Sequence, residues 1–289
     1  AEMPIKTILV PMIDAQGAQA ALGAALGLAK SLKAHVDVLH LRAEPTEAIT
    51  DFVGETVSPS LIEEVMEAAE KSAAKTSSKV RDAFDAATKR AKVPVTNRVS
   101  AQTAATASYS EESGQADLRV ERSARIHDLV ILRRPRSDTD VGVRALIETA
   151  LMSTGRPVLL VPAIGSVKVG SNIAIAWNGS AESSRAVAAA LPFLTRAKSV
   201  TVLSITDGDD VNHDGLGAYL KRHGVRAKFV TGRNRGGDIG KAVTAAASRA
   251  GADMLVMGAY THSRVREMIW GGVTNHVLAN TRIPVFLAH

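Results

Sequence analysis

The sequence has no cysteine, few aromatic residues and no long apolar run. Without cysteine, disulfide bonds and thiolate metal sites are excluded. No stretch of about 18 apolar residues occurs, so no membrane-spanning helix is expected. Residues 1–6 lack a basic region followed by an apolar stretch, so no signal peptide is predicted. From these absences we expect a cytoplasmic location.

The charge balance is mildly basic. The net charge is +6, but lysine and arginine are scattered among acidic residues, and only 3% of the residues are aromatic. Nucleic-acid-binding proteins cluster their basic residues on one face and add aromatic residues for stacking. We therefore expect no nucleic-acid partner, whereas a mild positive field suits a small anionic ligand.

The chain contains an internal repeat whose unit is far longer than a solenoid repeat, which indicates a duplicated domain. A length of 289 residues also suits two domains. We predict domains at 1–164 and 165–289, joined by a short linker at 162–166. Three pairs of segments resemble one another: 5–14 and 171–180, 127–135 and 252–260, and 155–163 and 282–289.

Apolar runs typical of strands alternate with helical patterns in each half. In the second half, Ser180 and Asp238 are candidate N-caps, and Gly224 and Gly251 are candidate helix ends. Apolar strands that each lead into a helix indicate an α/β fold with a parallel sheet covered on both faces. The predicted strands of this half are 172–177, 199–205, 226–230, 253–257 and 284–287, and the predicted helices are 181–194, 216–223, 239–250 and 273–279.

The first half follows the same plan with a longer helical region at about 59–92. Eight apolar residues keep helical spacing along it: Leu61, Ile62, Val65, Met66, Val80, Ala83, Phe84 and Ala87. We interpret this stripe as core packing rather than as a partner-binding face.

Glycines stand at two junctions between a strand and a helix of the second half. Gly258 ends the fourth predicted strand, and Gly271-Gly272 opens the last helix, with Thr274 in its first turn. Ligands of open α/β sheets bind beyond the carboxyl ends of the strands, and helix N-termini present unpaired N–H groups that suit phosphate. Each glycine is also compatible with a plain turn or cap. Their placement at one predicted sheet edge favours a binding site.

This tail resembles the nucleotide-binding signature of the universal stress protein family: Gly, two residues, Gly, nine residues, Gly, then Ser or Thr. Here Gly258 and Thr261 are followed, after nine residues, by Gly271-Gly272-Val273-Thr274. Thr261 replaces the second glycine, and Gly272 replaces the small hydroxyl residue. The resemblance covers the whole chain as two tandem copies. It implies two open parallel-sheet domains of the adenine nucleotide alpha hydrolase-like type, with strand order 3-2-1-4-5, paired through their fifth strands.

The resemblance further implies that the second half binds ATP or a related adenine nucleotide. The family's ATP-binding members contact adenine and ribose at the ends of the first two strands and phosphates with the glycine motif. Asn178 stands where an aspartate is usual, and its amide brings no charge for a metal, so a linked Mg²⁺ is not expected. The matching positions are Ala176, Trp177, Asn178, Ile205, Met257, Gly258, Tyr260, Thr261, Gly271, Gly272, Val273 and Thr274.

The first half lacks these features. Arg133 falls opposite Gly258, and Arg144-Ala145 falls opposite Gly271-Gly272. Because a side chain as long as arginine obstructs approach to the backbone, we predict one nucleotide site per chain, in the second half. The first half is then a degenerate copy that acts as a structural partner. We interpret the basic cluster of Arg133, Arg134 and Arg136 as a solvated loop.

Three functions remain open. The first is a stress-response protein that binds an adenine nucleotide and signals through conformation or partners. The second is an interaction protein of the same fold, whose site is closed by the departures at Thr261, Gly272 and Asn178. The third is a slow ATPase, although no catalytic residue or metal ligand set is predicted, because no candidate general base sits in the motif. Pairing within the chain is expected, and the association of two chains is left open.

Overall fold

The computed structural model describes residues 5–52, 58–137, 139–163, 165, 168–206, 213–233, 237–259 and 272–289. These residues form strands and helices that alternate along the chain, as the sequence patterns predict. The strands are β1 (Thr7–Met12), β2 (His35–Arg42), β3 (Thr106–Ser113), β4 (Leu129–Arg133), β5 (Val158–Val161), β6 (Asn172–Ala176), β7 (Ser199–Thr206), β8 (Ala227–Arg233), β9 (Met254–Gly258) and β10 (Val285–Ala288). The helices are α1 (Ala18–Leu32), α2 (Pro59–Ala91), α3 (Ala116–Ala124), α4 (Val141–Met152), α5 (Ala181–Leu194), α6 (Asp214–Arg222), α7 (Ile239–Arg249) and α8 (Gly272–Asn280), and a 3₁₀ segment spans Pro45–Phe52.

All ten strands belong to one sheet, in the order β3-β2-β1-β4-β5-β10-β9-β6-β7-β8. Every neighbouring pair is parallel except β5 and β10, which run antiparallel with Leu160 opposite Val285 and Val158 opposite Leu287. Each half therefore has the strand order 3-2-1-4-5, and the halves meet at their fifth strands. This confirms the fold class expected from the sequence, including the pairing of the two copies. The predicted boundary between residues 164 and 165 falls in the connection from β5 to β6, where residues 164, 166 and 167 lie outside the described ranges, and this division stays a prediction.

Helices cover both faces of the sheet. We call the side packed by α1, α2, α5 and α6 the first face, and the side packed by α3, α4, α7 and α8 the second face. Side chains of a strand alternate between the two faces. In β6, Ile173 and Ile175 enter the first-face core, whereas Ala174 and Ala176 face the second. The strands read as continuous apolar runs because both of their sides are buried.

The helix ends predicted for the second half are confirmed. The Ser180 hydroxyl accepts a hydrogen bond from Ser183 N at 3.2 Å, which caps α5. Asp238 likewise accepts from Lys241 N at 3.1 Å at the start of α7. Gly224 and Gly251, which follow α6 and α7, have left-handed φ angles of 76° and 63°. Glycine adopts this conformation without steric cost, so it ends these helices readily.

The long helix α2 meets the core over only part of its length. Val80 and Phe84 are fully buried, but Leu61 is 44% exposed, so the prediction of core packing is wrong for Leu61. Its neighbours Ile62, Val65 and Met66 are only partly buried. A helix of 33 residues is about 50 Å long, roughly twice the length of the eight-residue strands beside it. The N-terminal turns of α2 therefore extend past the sheet. None of the described helices is both long and apolar enough to cross a membrane.

A buried arginine joins the two halves. The Arg134 guanidinium donates to the carbonyl oxygens of Leu278, at 2.9 Å, and Thr281, at 2.5 Å, at the carboxyl end of α8. These carbonyls carry the partial negative charge of a helix C-terminus. Burial lowers the pKa of Arg134 to about 10, which still leaves it protonated near neutral pH. In the second half Ala259 holds the equivalent position. Its N–H donates to the carbonyl oxygen of Ala288 at the end of β10, as the N–H of Arg134 donates to that of Val161 at the end of β5. Alanine cannot make this contact, so the second half does not repeat it at this position.

Candidate functional site

A cavity of about 300 Å³ lies on the second face, beyond the carboxyl ends of β6, β7 and β9. The structure brings eight of the predicted residues together there. Gly272 does not line the cavity but opens α8 beside it, and Tyr260, Thr261 and Gly271 lie outside the described residues. A ligand-binding role for these positions stays a prediction. The eight wall residues are Ala176, Trp177, Asn178, Ile205, Met257, Gly258, Val273 and Thr274.

The sheet register explains why residues so distant in sequence meet. Ala176 at the end of β6 is paired with Leu203 of β7 on one side and Met257 of β9 on the other. Because the three strands are parallel, their carboxyl ends lie along one edge of the sheet. The first turn of α8 closes the cavity through Val273 and the buried Thr274. The first backbone N–H groups of any helix have no acceptor within that helix.

Sequence reasoning missed four wall residues: Leu203, Thr206, Ile239 and Val243. Ile239 and Val243 lie one turn apart in α7, at the apolar spacing that any core-facing helix shows. That spacing is the same in a helix that lines a cavity and in a helix that packs against a filled core, so it does not distinguish them. Whether these residues line a cavity depends on the relative placement of α7 and α8. The contact between His276 Nδ1 and Asp238 Oδ2, 2.6 Å apart, helps to fix that placement.

Polar groups of the cavity are few and uncharged. Among the described residues, no charged side chain lines the cavity. Asn178 Oδ1 accepts from Ser180 N at 3.1 Å, so its carbonyl oxygen is engaged in the turn before α5 and its NH₂ group remains as a donor. Within the described part of the chain, no three His, Asp or Glu residues are grouped as a metal would require. The walls therefore suit a ligand with a flat apolar part and a few acceptors.

The ring of Trp177 does not belong to the second face. Its side chain packs against the first-face core, and its backbone N–H donates to Leu203 O at 2.9 Å. The alternation of side chains along the strand accounts for this direction. Trp177 therefore contributes backbone, rather than an aromatic surface, to the cavity wall.

Gly258 is required by the packing of α5. A Cβ atom at this position would lie 2.6 Å from Ser183 N and 2.7 Å from the carbonyl carbon of Glu182, which are backbone atoms of the first turn of α5. From the sequence, the missing side chain is expected to let a ligand approach the backbone. The structure supplies a different reason, because the space is already occupied by the helix.

The corresponding place in the first half is filled by Arg133. Ile8 pairs with Leu129 as Ile173 pairs with Met254, so Arg133 stands at the strand position of Gly258. The equivalent strand ends, together with α4, enclose a void of only about 20 Å³. Arg133 and Arg134 are each 7% exposed, so the interpretation of their cluster as a solvated loop is wrong for both.

Two carboxylates hold Arg133 in this buried position. Its guanidinium donates to Asp14 Oδ2 at 2.9 Å and to Asp140 Oδ2 at 2.5 Å. Burial alone lowers the pKa of Arg133, but the hydrogen bonds and charges of Asp140 and Asp14 outweigh it and raise the pKa above its usual value. Burial alone raises the pKa of Asp140, but hydrogen bonds from Arg133 and from the backbone N–H of Arg136 outweigh it and lower the pKa. The first half thus contains a buried arginine paired with two partly buried carboxylates where the second half contains an open cavity.

The fold and the cavity are those of the open α/β proteins that bind ligands at the carboxyl edge of a parallel sheet. Residues 215–289 match the model of the universal stress protein family. A universal stress protein from Archaeoglobus fulgidus DSM 4304 superposes with a TM-score of 0.66 at 15% identity, covering 98% of this chain and 95% of that one. A protein of the same class from Pseudomonas aeruginosa UCBPP-PA14 superposes with a TM-score of 0.56 at 14% identity, covering 98% and 93%.

The resemblance to universal stress proteins is thereby confirmed, through the family model in the second half and through the fold over the whole chain. The same fold also occurs in the cytoplasmic domain of a prokaryotic cation chloride cotransporter, with a TM-score of 0.52 at 12% identity and coverage of 98% and 95%. No curated protein sequence matches the chain. At these identities the superpositions establish the fold, and the function has to be argued from the site.

Proposed function

We propose that the second half binds one adenine nucleotide, ATP or a relative of it, and that the protein acts in a cytoplasmic stress response through its nucleotide-dependent conformation or partners. The observation that carries this proposal is the contrast between the halves. At equivalent edges of the sheet, the second half contains a cavity of about 300 Å³, whereas the first half contains a void of about 20 Å³ beside the buried Arg133.

Different walls of the cavity suit the purine ring, the ribose and the phosphates of a nucleotide. Ile205, Ile239 and Val243 offer apolar walls for a purine ring. We assign the NH₂ group of Asn178 as a donor to a ribose oxygen and the first turn of α8 as a source of N–H groups for phosphate. The volume lies at the lower end of ligand sites, about 300–1,000 Å³, and is sufficient for the nucleoside part.

Binding is favoured over hydrolysis because the described walls contain no general base. No Asp, Glu, His or Lys side chain lines the cavity in the described part of the chain. A hydrolase needs a group within hydrogen-bond reach of the attacking water. We therefore propose a nucleotide sensor rather than an ATPase.

Calorimetric titration of the full chain with ADP and ATP tests the proposal. We expect one equivalent per chain. Ala176→Leu, which adds three carbon atoms to the cavity wall, should weaken binding by more than about tenfold, since an overfilled site must expand to admit a ligand. Ala181→Leu makes the same change at an exposed residue of α5 and should leave the affinity unchanged.

Two results would overturn the proposal. Absence of binding by either nucleotide at millimolar concentration, with a folded protein, would favour an interaction protein without a nucleotide site. Two equivalent sites per chain would contradict the asymmetry between the halves.

A further inference from the structure

A second cavity lies in the first half, on the opposite face of the sheet. It measures about 240 Å³ and lies between the end of β2, the 3₁₀ segment and α2. Small side chains leave this space open: Ala69 and Ala73 stand one turn apart on α2, and Ala43 and Ala48 face them from the other wall. None of these residues lines the cavity proposed to bind a nucleotide.

A buried histidine lines this cavity. His40 is 1% exposed and pairs across the sheet with Glu111 of β3, with Nδ1 2.8 Å from Glu111 Oε2. Burial alone raises the pKa of Glu111, but the hydrogen bond from His40 outweighs it and the pKa is lowered, so the carboxylate is ionised. Nδ1 therefore carries a proton and donates it. The other ring nitrogen, Nε2, is buried without a hydrogen-bond partner among the described residues, and in the neutral ring it is an acceptor.

The charges around the cavity are predominantly negative. Glu44 and Glu47 line it, and neither forms an ion pair with any residue that the structure describes. Arg42 also lines it, but its guanidinium already contacts Glu70 and lies 3.7 Å from Glu111. Carboxylates thus outnumber cations at this site. The residues that line the cavity therefore include His40 and two carboxylates, those of Glu44 and Glu47.

The second half does not repeat this arrangement. Val36 and Val200 hold equivalent positions because they pair with Ile8 and Ile173, so Ser204 stands where His40 stands. Its cross-strand partner is Thr231 in place of Glu111. The histidine–glutamate pair is therefore a property of the half that lacks the nucleotide cavity.

We propose that this cavity binds a small organic cation with N–H donors, such as a primary diammonium compound, through His40 Nε2 and the carboxylates of Glu44 and Glu47. A buried acceptor without a partner costs free energy that a donor from the ligand recovers. The excess of carboxylates favours a positive charge, and the volume accommodates a short aliphatic chain. Among the described residues no group of three metal-ligating side chains exists here, so an organic cation fits better than a metal ion.

Titration of the full chain with 1,4-diaminobutane, followed by calorimetry and by the ¹⁵N shift of His40 Nε2, tests this inference. We expect saturable binding with a shift at Nε2, and no binding of 1,4-butanediol, which has the same length but no charge. Ala69→Leu should abolish binding by filling the cavity. Glu47→Gln should weaken it by up to about fivefold, as expected for one exposed charge pair.

Matched variants make the outcome decisive. Glu64→Gln removes a charge from an exposed position of α2 outside the cavity and should change nothing. Equal effects of Glu64→Gln and Glu47→Gln would show general attraction to an acidic surface and overturn the proposal. So would binding of inorganic phosphate in place of the diamine, because a protonated His40 would then be a donor. Ala176→Leu should leave diamine binding intact, so this test is independent of the nucleotide proposal.

Discussion

Replacing Gly258 by alanine should destabilise the protein through a single misplaced methyl group. The new Cβ would lie 2.6 Å from Ser183 N, whereas ordinary contacts begin near 3.4 Å. The first turn of α5 must therefore retreat by roughly 0.8 Å, because backbone atoms cannot rotate away as a flexible side chain does. That movement stretches the hydrogen bond between Ser183 N and Ser180 Oγ, which caps the helix. Overpacking and the weakened cap together predict a loss of about 2–4 kcal/mol.

Urea unfolding followed by circular dichroism measures this loss. Gly272→Ala is the control within the same glycine motif, because no described atom lies within 4 Å of its added Cβ and the residue belongs to a helix. Alanine is favoured over glycine in helices by up to about 1 kcal/mol, so this variant should be as stable as the parent or slightly more stable. A Gly258→Ala protein within about 0.5 kcal/mol of the parent would refute the packing argument, since overpacking costs at least about 1 kcal/mol.

Two further predictions concern the buried arginines. Arg133→Met should lower the free energy of unfolding by about 2–3 kcal/mol at pH 7, less than for a fully buried pair, because Asp14 is 29% exposed. Since the pKa of Asp140 is lowered in the folded state, the ion pair stabilises the fold fully above about pH 5 and is lost as the pH falls below 3.8. The free energies of unfolding of the variant and the parent, measured in urea, should therefore converge in acid. Arg134→Met should lower the free energy of unfolding by about 2–3 kcal/mol and speed amide exchange in α8, because the carbonyl groups of Leu278 and Thr281 lose their donor. Arg136→Met, at an exposed residue, should do neither. Unchanged amide exchange in α8 of Arg134→Met would contradict this role of Arg134.

The ends of the helices in the second half could be predicted from the sequence because they depend on local signals, whereas the order of the strands was implied only by the resemblance to universal stress proteins. Ser180 and Asp238 are polar residues just before apolar helical patterns, and both cap their helices. The alignment of repeats also placed Arg133 opposite Gly258, and the sheet register agrees. The positions implied by the resemblance include eight of the twelve described wall residues of the cavity, because parallel strands end at a common edge of the sheet.

Features that depend on long-range packing could not be predicted. Arg134 reaches carbonyl groups 144 and 147 residues away, and a run of arginines beside a proline is typical of an exposed loop as well. His40 and Glu111 meet only through the register of β2 and β3. The sequence of β3, TASYSEES, has too few apolar residues to indicate a strand. Partial exposure of Leu61 likewise follows from the length of α2 relative to the sheet, which helical periodicity does not report.

The antiparallel pairing of β5 with β10 has a consequence for how the two copies can differ. In a dimer of identical subunits, any substitution is present twice, at both symmetry-related places. Here the partners are covalently connected, so Arg134 and Ala259 coexist at matching places in one molecule. The connection also keeps the ratio of the two copies at one to one, and dilution cannot separate them because their association is intramolecular. Each copy is therefore free to specialise while relying on the constant presence of the other.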